Sequence, residues 1–268
     1  PNHAKGFHIA HFNSFTRVTI YNPWAEGEIY ALYNLYTNDT IALPKEGTSI
    51  KIPLTSLVVN TFAYFEFLDQ LGELDKITGT SDGFRIYNPN IRAGIQEGRI
   101  ADLGNPFNMN IEKTLALKPQ AVLTSAYAQR DNYSDRISQA GIPVIYNLEW
   151  MENSPLARAE WIKMIAAFFD KEEMADSIFN NIACRYLSQK EKTKNIREKH
   201  TVMTGDNFQG TWYVPGGNSF NAALFRDAGL DYYYKKDERS GSIGLDIETM
   251  LTQFGDAEYW FGCAAKSY

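Results

Sequence analysis

The chain holds 268 residues with a formal net charge of -6, a balance that argues against a nucleic-acid partner, which rewards clustered lysine and arginine. Hydrophobic residues make up 44% and charged residues 22%, as in ordinary globular proteins, and no run approaches the roughly 18–20 apolar residues of a membrane span. Aromatic residues reach 14%, so the fold must place many flat side chains.

The opening Pro1-Asn2-His3-Ala4-Lys5 does not read as an export leader, which leaves a cytoplasmic protein or one whose leader precedes this numbering. Segments 17–23, 28–36 and 49–53 alternate or cluster β-branched and aromatic residues between Asn, Asp and Gly turns, and predict a β-rich N-terminal extension over 1–50. From there strands and helices alternate: strand 57–59, helix 61–71, strand 76–80, helix 110–117, strand 121–125, helix 131–140 and strand 143–147. That rhythm predicts a parallel sheet covered by helices, an α/β lobe over 51–153.

Ser154-Pro155 reads as a hydroxyl cap followed by proline at the first helical position, opening a helix to about 169. Asp170 with Glu173 reads as a second start. Met174, Ile178, Ile182 and Tyr186 mark one apolar stripe, and neither Gly nor Pro interrupts 171–199. The expectation for 154–199 is a helical linker whose long, rigid second helix joins two lobes. In the second lobe, 200–268, a strand at 200–204, a helix from Asn218-Ser219 to about Gly229 and a helix–strand unit over 246–261 are visible. Two evident strands cannot close an α/β lobe, so that lobe is expected to be incomplete.

One phrase occurs twice. Asn110-Ile111-Glu112-Lys113-Thr114-Leu115 leads to the strand from Ala121, and Asp246-Ile247-Glu248-Thr249-Met250-Leu251 leads to an apolar run from Ala257. Each copy has a capping residue, an apolar first position and a Glu in the first turn, where a carboxylate complements the helix dipole. Two such units far apart predict two similarly built lobes with a ligand groove between them.

Catalytic signatures are missing: there is no Gly-x-Ser-x-Gly, His-Glu-x-x-His or Gly-x-Gly-x-x-Gly. Gly205 to Gly210 has the spacing of a phosphate loop, but Thr211-Trp212 stands where Lys-Ser/Thr is required. His3, His8 and His11 have no acidic or Cys partner nearby in sequence, and Cys184 and Cys263 read as free thiols, so neither metal nor cofactor is expected. Aromatics concentrate instead in segments that follow strands, and the expected ligand contacts are Phe84, Arg85, Tyr87, Asn105, Phe107, Tyr127, Trp150, Asn207, Phe208, Trp212 and Tyr213. Phe84, Tyr87, Tyr127, Trp150 and Trp212 are expected to line one groove, with Arg85 or Arg130 meeting acidic groups of the ligand.

Asn110-Ile111-Glu112 followed by Leu117-Lys118-Pro119-Gln120-Ala121-Val122-Leu123 resembles the signature of the helical-backbone substrate-binding proteins of ABC importers. Phe67-Leu68 through Leu71-Gly72, Lys76-Ile77-Thr78-Gly79 and Gly141-Ile142-Pro143-Val144 are similar to that family as well, in the same order. The resemblance implies capture of a metal chelate (ferric siderophore, haem or cobalamin) by a monomer in the periplasm or at the outer face of the cell membrane. It implies delivery to a permease dimer with its ATPase, with any membrane contact through an anchor or the permease. It also implies that Glu112 and Glu248 meet arginines of the permease. Gln120 departs from the family's Asp. The alternatives are an enzyme, a hydrolase or isomerase using Asp82, Glu149 or Asp206 as acid or base, and a scaffold that uses the aromatic loops as a protein interface.

Overall fold

The computed structural model describes residues 1–40, 42–106, 108–129 and 131–262, so Phe107, Arg130 and Cys263 lie outside the described residues. The chain forms two compact units: 1–151 with 160–179, and 152–159 with 180–268. Two of the passages between them fall inside helices.

The first unit opens with β1 (Phe7–His11), β2 (Thr16–Tyr21), β3 (Ile29–Tyr36) and β4 (Thr48–Lys51), a four-stranded sheet in that order. β1, β2 and β3 pair antiparallel and β4 runs parallel to β3. Val18 and Ile20 are buried on β2 with the intervening Thr19 less so, the alternation of a sheet with one covered face. β1 was not among the expected strands, its apolar residues being interleaved with two histidines.

The N-terminal sheet shares its compact unit with the α/β elements that follow it. Tyr33 is buried, donates to the Val144 carbonyl at 3.0 Å and accepts from the Tyr146 amide at 2.8 Å. At the chain start, the wholly buried Glu160 carboxylate accepts from the amides of Asn2 (2.8 Å), His3 (2.7 Å) and Ala4 (2.8 Å). Burial works to raise the pKa of Glu160, but those three amides and nearby Lys163 outweigh it and hold the carboxyl below its ordinary value.

The α/β part runs β5 (Leu57–Val59), α1 (Ala63–Gln70), β6 (Ile77–Thr80), α2 (Pro89–Gln96), β7 (Ala101–Asp102), α3 (Ile111–Leu117), β8 (Ala121–Ser125), α4 (Asn132–Gln139) and β9 (Val144–Asn147). The five strands are all parallel, in the order β7-β6-β5-β8-β9. β5, β8 and β9 are buried at every position, as the apolar runs of a sheet covered on both faces require. α2 was missed by sequence because Asn88-Pro89 reads as a turn. Here it is a helix start, with the Asn88 side chain accepting from the amides of Asn90 and Ile91 and Pro89 in the first turn.

α5 (Pro155–Ala167) and α6 (Glu172–Thr193) carry the chain from one unit to the other. α6 opens one residue later than expected, because Asp170 adopts a left-handed φ of 55° and cannot serve as its cap. It ends at Thr193, whose hydroxyl donates to the carbonyls of Lys190 (2.8 Å) and Asp227 (2.7 Å). The fully buried positions of α6 are Ala175 and Phe179; of the expected stripe Ile178, Ile182 and Tyr186 are half-buried and Met174 is exposed.

The second unit is built from β10 (Thr201–Thr204), β11 (Asp206–Phe208), β12 (Thr211–Pro215), α7 (Phe220–Asp227), β13 (Asp231–Tyr232), β14 (Ser242–Leu245), α8 (Ile247–Phe254) and β15 (Tyr259–Phe261). Six strands among the described residues, not two, form a parallel sheet β13-β10-β15 and an antiparallel sheet β11-β12-β14. Val202, Trp212, Val214, Ala222, Tyr232, Ile243, Leu245, Met250 and Phe254 make its core. The segment 206–213, expected as a loop, is a hairpin. Gln209 and Gly210 at its tip both have positive φ, 53° and 87°, the backbone that a two-residue hairpin turn demands.

Candidate functional site

The order β7-β6-β5-β8-β9 places a topological switch point between β5 and β8: the chain winds outward to one side from β5 and to the other from β8. In open parallel sheets the segments leaving the carboxyl ends of the strands diverge at that point and leave a crevice. The residues at that edge are polar and cross-linked. Asn60, after β5, donates to Thr124 Oγ1 at 3.2 Å and to the Pro106 carbonyl at 3.3 Å. Thr61 Oγ1 lies 3.2 Å from Ser125 Oγ, and the buried Tyr64 hydroxyl lies 3.4 Å from the same oxygen. Burial, and then the nearby Glu149, push the Tyr64 phenol well above its ordinary pKa, so it remains a protonated hydrogen-bonding group.

Among the described residues, Asn60 Oδ1 and Asn147 Nδ2 at this edge are buried without a hydrogen-bond partner. Asn147 is wholly buried, and its Oδ1 accepts from the Glu149 amide at 3.0 Å, which sets the carboxamide under the turn leading to Trp150. A buried polar atom left unpaired costs about 1–3 kcal/mol.

Above this edge the structure brings Tyr127 and Trp150 together. Their ring centroids are 5.8 Å apart and their planes tilted by 38°. Phe84 and Tyr87 follow β6 and are strongly exposed, and among the described residues no ring contact joins them to that pair. Arg85 lies 3.5 Å from Asp82, itself in a left-handed conformation, and Asn105 is exposed after β7.

In the second unit the expected set divides. Trp212 is 7% exposed and belongs to the core, with its indole N–H donating to the Thr204 carbonyl at 3.0 Å, which corrects its assignment as a groove wall. Strand alternation is the reason: Tyr213, the next residue, points to the opposite face. Phe208 lies diagonally across the hairpin from Tyr213, and both are exposed. Asn207 caps the hairpin turn by accepting from the Gly210 amide at 3.1 Å.

The duplicated helices have matching starts. Asn110 accepts from the Lys113 amide at 2.8 Å and Asp246 from the Thr249 amide at 2.7 Å. Glu112 and Glu248 are exposed one position into the first turn, and Leu115, Ile247 and Leu251 beside them expose apolar surface. Among the described residues no three His, Cys, Asp or Glu side chains are grouped to hold a metal ion, and His11 instead faces Glu172 at 3.5 Å. Among the same residues no helix is long and apolar enough to cross a membrane.

A family model described as periplasmic binding protein matches residues 57–267, from the first residue of β5 onward. The chain belongs to the periplasmic binding protein family. Its fold neighbours agree: a periplasmic binding protein of Veillonella parvula superposes with a TM-score of 0.66 at 13% identity, covering 95% of this chain and 76% of that one. Coverage that wide takes in most of the N-terminal sheet, which the family match leaves out. A periplasmic heme-binding protein of Vibrio cholerae superposes with a TM-score of 0.58 at 16% identity, covering 74% and 73% of the two chains. A curated relative, an uncharacterized lipoprotein of Methanocaldococcus jannaschii, is 31% identical over 219 residues, 79% of this chain and 52% of its own length. The chain therefore spans about half the length of that member of the family.

Sequence reasoning missed Asn60, Thr61, Tyr64, Ser125 and Asn147. Their signal was available in part: all but Tyr64, which lies in α1, end a strand or follow one, where the switch-point rule would have sent attention once the strand order was known.

Proposed function

We propose that this protein is the substrate-binding component of an ABC importer, which takes a metal chelate (a ferric siderophore, haem or cobalamin) and hands it unaltered to a permease dimer coupled to an ATPase. The observation that carries this reading is the family match over 57–267. The exposed Tyr127–Trp150 pair, on segments that follow β8 and β9, supports it by offering aromatic surface to a large ligand. In this reading Phe84, Arg85, Tyr87, Asn105, Tyr127 and Trp150 are the ligand contacts offered by the first unit.

Glu112 and Glu248 serve as docking charges for arginines of the permease, each framed by exposed apolar side chains. The protein acts as an exported or lipid-anchored monomer, a reading supported by the lipoprotein named among its relatives. Native mass spectrometry after incubation with a mixture of ferric siderophores, haem and cobalamin tests the proposal. The expected spectrum contains the chain carrying one intact chelate. A chemically altered chelate points to an enzyme, and no retained chelate removes the importer reading.

A further inference from the structure

The loop between β2 and β3 is built to hold one indole. Asn22 Oδ1 accepts from the Trp24 amide at 3.0 Å, the Asn22 amide donates to the Glu28 carbonyl at 2.9 Å, and the Glu28 amide donates to the Ala25 carbonyl at 3.1 Å. Gly27, with φ of 80°, closes the turn. This loop sets Trp24 beside Trp150, with centroids 6.3 Å apart and planes tilted by 47°, and beside Tyr30 at 5.9 Å. Tyr30 is in turn fixed by its hydroxyl, which donates to the Tyr127 carbonyl at 3.0 Å, and by an edge contact with Tyr146 at 5.2 Å.

The result is a row of rings, Trp24, Trp150 and Tyr127, assembled from three separate segments of the first unit. They remain 37%, 36% and 46% exposed, so each ring is anchored on one side and offers surface on another. A compact chelate would touch one ring of such a row. A wide, flat, conjugated ligand touches successive rings and gains an aromatic contact, stacked or edge-on, at each.

We propose that the N-terminal sheet, which lies outside the family match, contributes Trp24 to the ligand site, and that the Trp24–Trp150–Tyr127 row selects a planar macrocyclic chelate over a non-planar one. This rests on the importer reading and narrows its substrate class. The macrocycle meets successive rings of the row by stacked and edge contacts, and Trp24 determines specificity by extending the aromatic surface beyond the two rings supplied by the α/β lobe.

Isothermal titration of the chain with cyanocobalamin, haemin and iron(III)–desferrioxamine tests it, using the wild type, Trp24→Leu and Trp24→Phe. Leu keeps apolar bulk for the loop and removes the ring, while Phe keeps a ring. The expected result is binding of a macrocycle by the wild type, weakening by about tenfold in Trp24→Leu and recovery to within about threefold in Trp24→Phe. Unchanged macrocycle affinity in Trp24→Leu overturns the role of Trp24 and leaves the importer reading intact. Binding of iron(III)–desferrioxamine alone overturns the selectivity and also leaves that reading intact. Binding of none of the three chelates overturns both.

Discussion

The indole N–H of Trp212 donates to the carbonyl of Thr204 and so ties the antiparallel sheet of the second unit to the carboxyl end of β10 in its parallel sheet. Trp212→Ala removes that bond and leaves a cavity among Val202, Val214, Leu245 and Phe254, all members of the same core. The expected cost is about 3–5 kcal/mol, the range for emptying an aromatic core position. Chemical denaturation followed by circular dichroism measures it. A loss below about 1 kcal/mol would contradict the core assignment.

Glu160 carries a pH dependence whose sign follows from its partners. Its folded pKa lies below the ordinary value, because three backbone amides and Lys163 outweigh the effect of burial. The stability it supplies is therefore complete above about pH 5, where an unfolded glutamate is ionised, and is lost as pH falls toward the lower folded value. Glu160→Gln should destabilise the first unit by about 2–4 kcal/mol at pH 7, since hydrogen bonds to a charged acceptor are replaced by fewer and weaker ones. The gap between variant and wild type should narrow as pH drops below about 5. Thermal melts between pH 3 and 7 read both, and a gap independent of pH would exclude the ionised carboxylate as the source.

The exposed glutamates of the duplicated helices should be separable from folding. A Glu112→Ala, Glu248→Ala double variant is expected to melt like the wild type and to bind chelate equally, because exposed carboxylates contribute little to stability. Uptake by cells or vesicles carrying the cognate permease should fall, more so at raised salt, where the remaining charge steering is screened. Normal uptake by the double variant would remove the docking role and leave only the helix-start role.

Gly205 tests the hairpin that sequence reading took for a loop. Its φ is +92°, and a Cβ there would lie 1.9 Å from the Tyr213 carbonyl oxygen, too close for any rotamer to relieve. Gly205→Ala should cost at least about 2 kcal/mol and shift the Trp212 fluorescence, whereas Gly210→Ala meets no neighbouring atom and should cost only the backbone strain of positive φ. Equal losses in the two variants would contradict the close approach of β12 to Gly205.

The α/β part of the first unit was legible because β5, β8 and β9 carry buried, mostly apolar runs and α3 and α4 begin with side-chain caps: β8 and α4 fall within a residue of where spacing put them. The second unit was less so. β11 is Asp-Asn-Phe, exposed throughout, and its strand character comes from pairing with Trp212 and its neighbours, which local pattern does not encode. The candidate site divides in the same way. Tyr127 and Trp150 were visible as aromatics after strands, whereas Trp24 reaches Trp150 only through the three-dimensional placement of the β2–β3 loop, and no local window contains both.

The anchoring of Ala4 by Glu160 also orders events in the life of the chain. The two groups are 156 residues apart, so the amide emerges from the ribosome long before its acceptor. At about 5–20 residues per second the interval is roughly 8–30 s. The N-terminal strands can pair locally in that time, but the first four residues have no acceptor until α5 has been made. The segment around Ala4 is fastened only once α5 has been made, which keeps it available during that interval to whatever machinery handles the nascent chain.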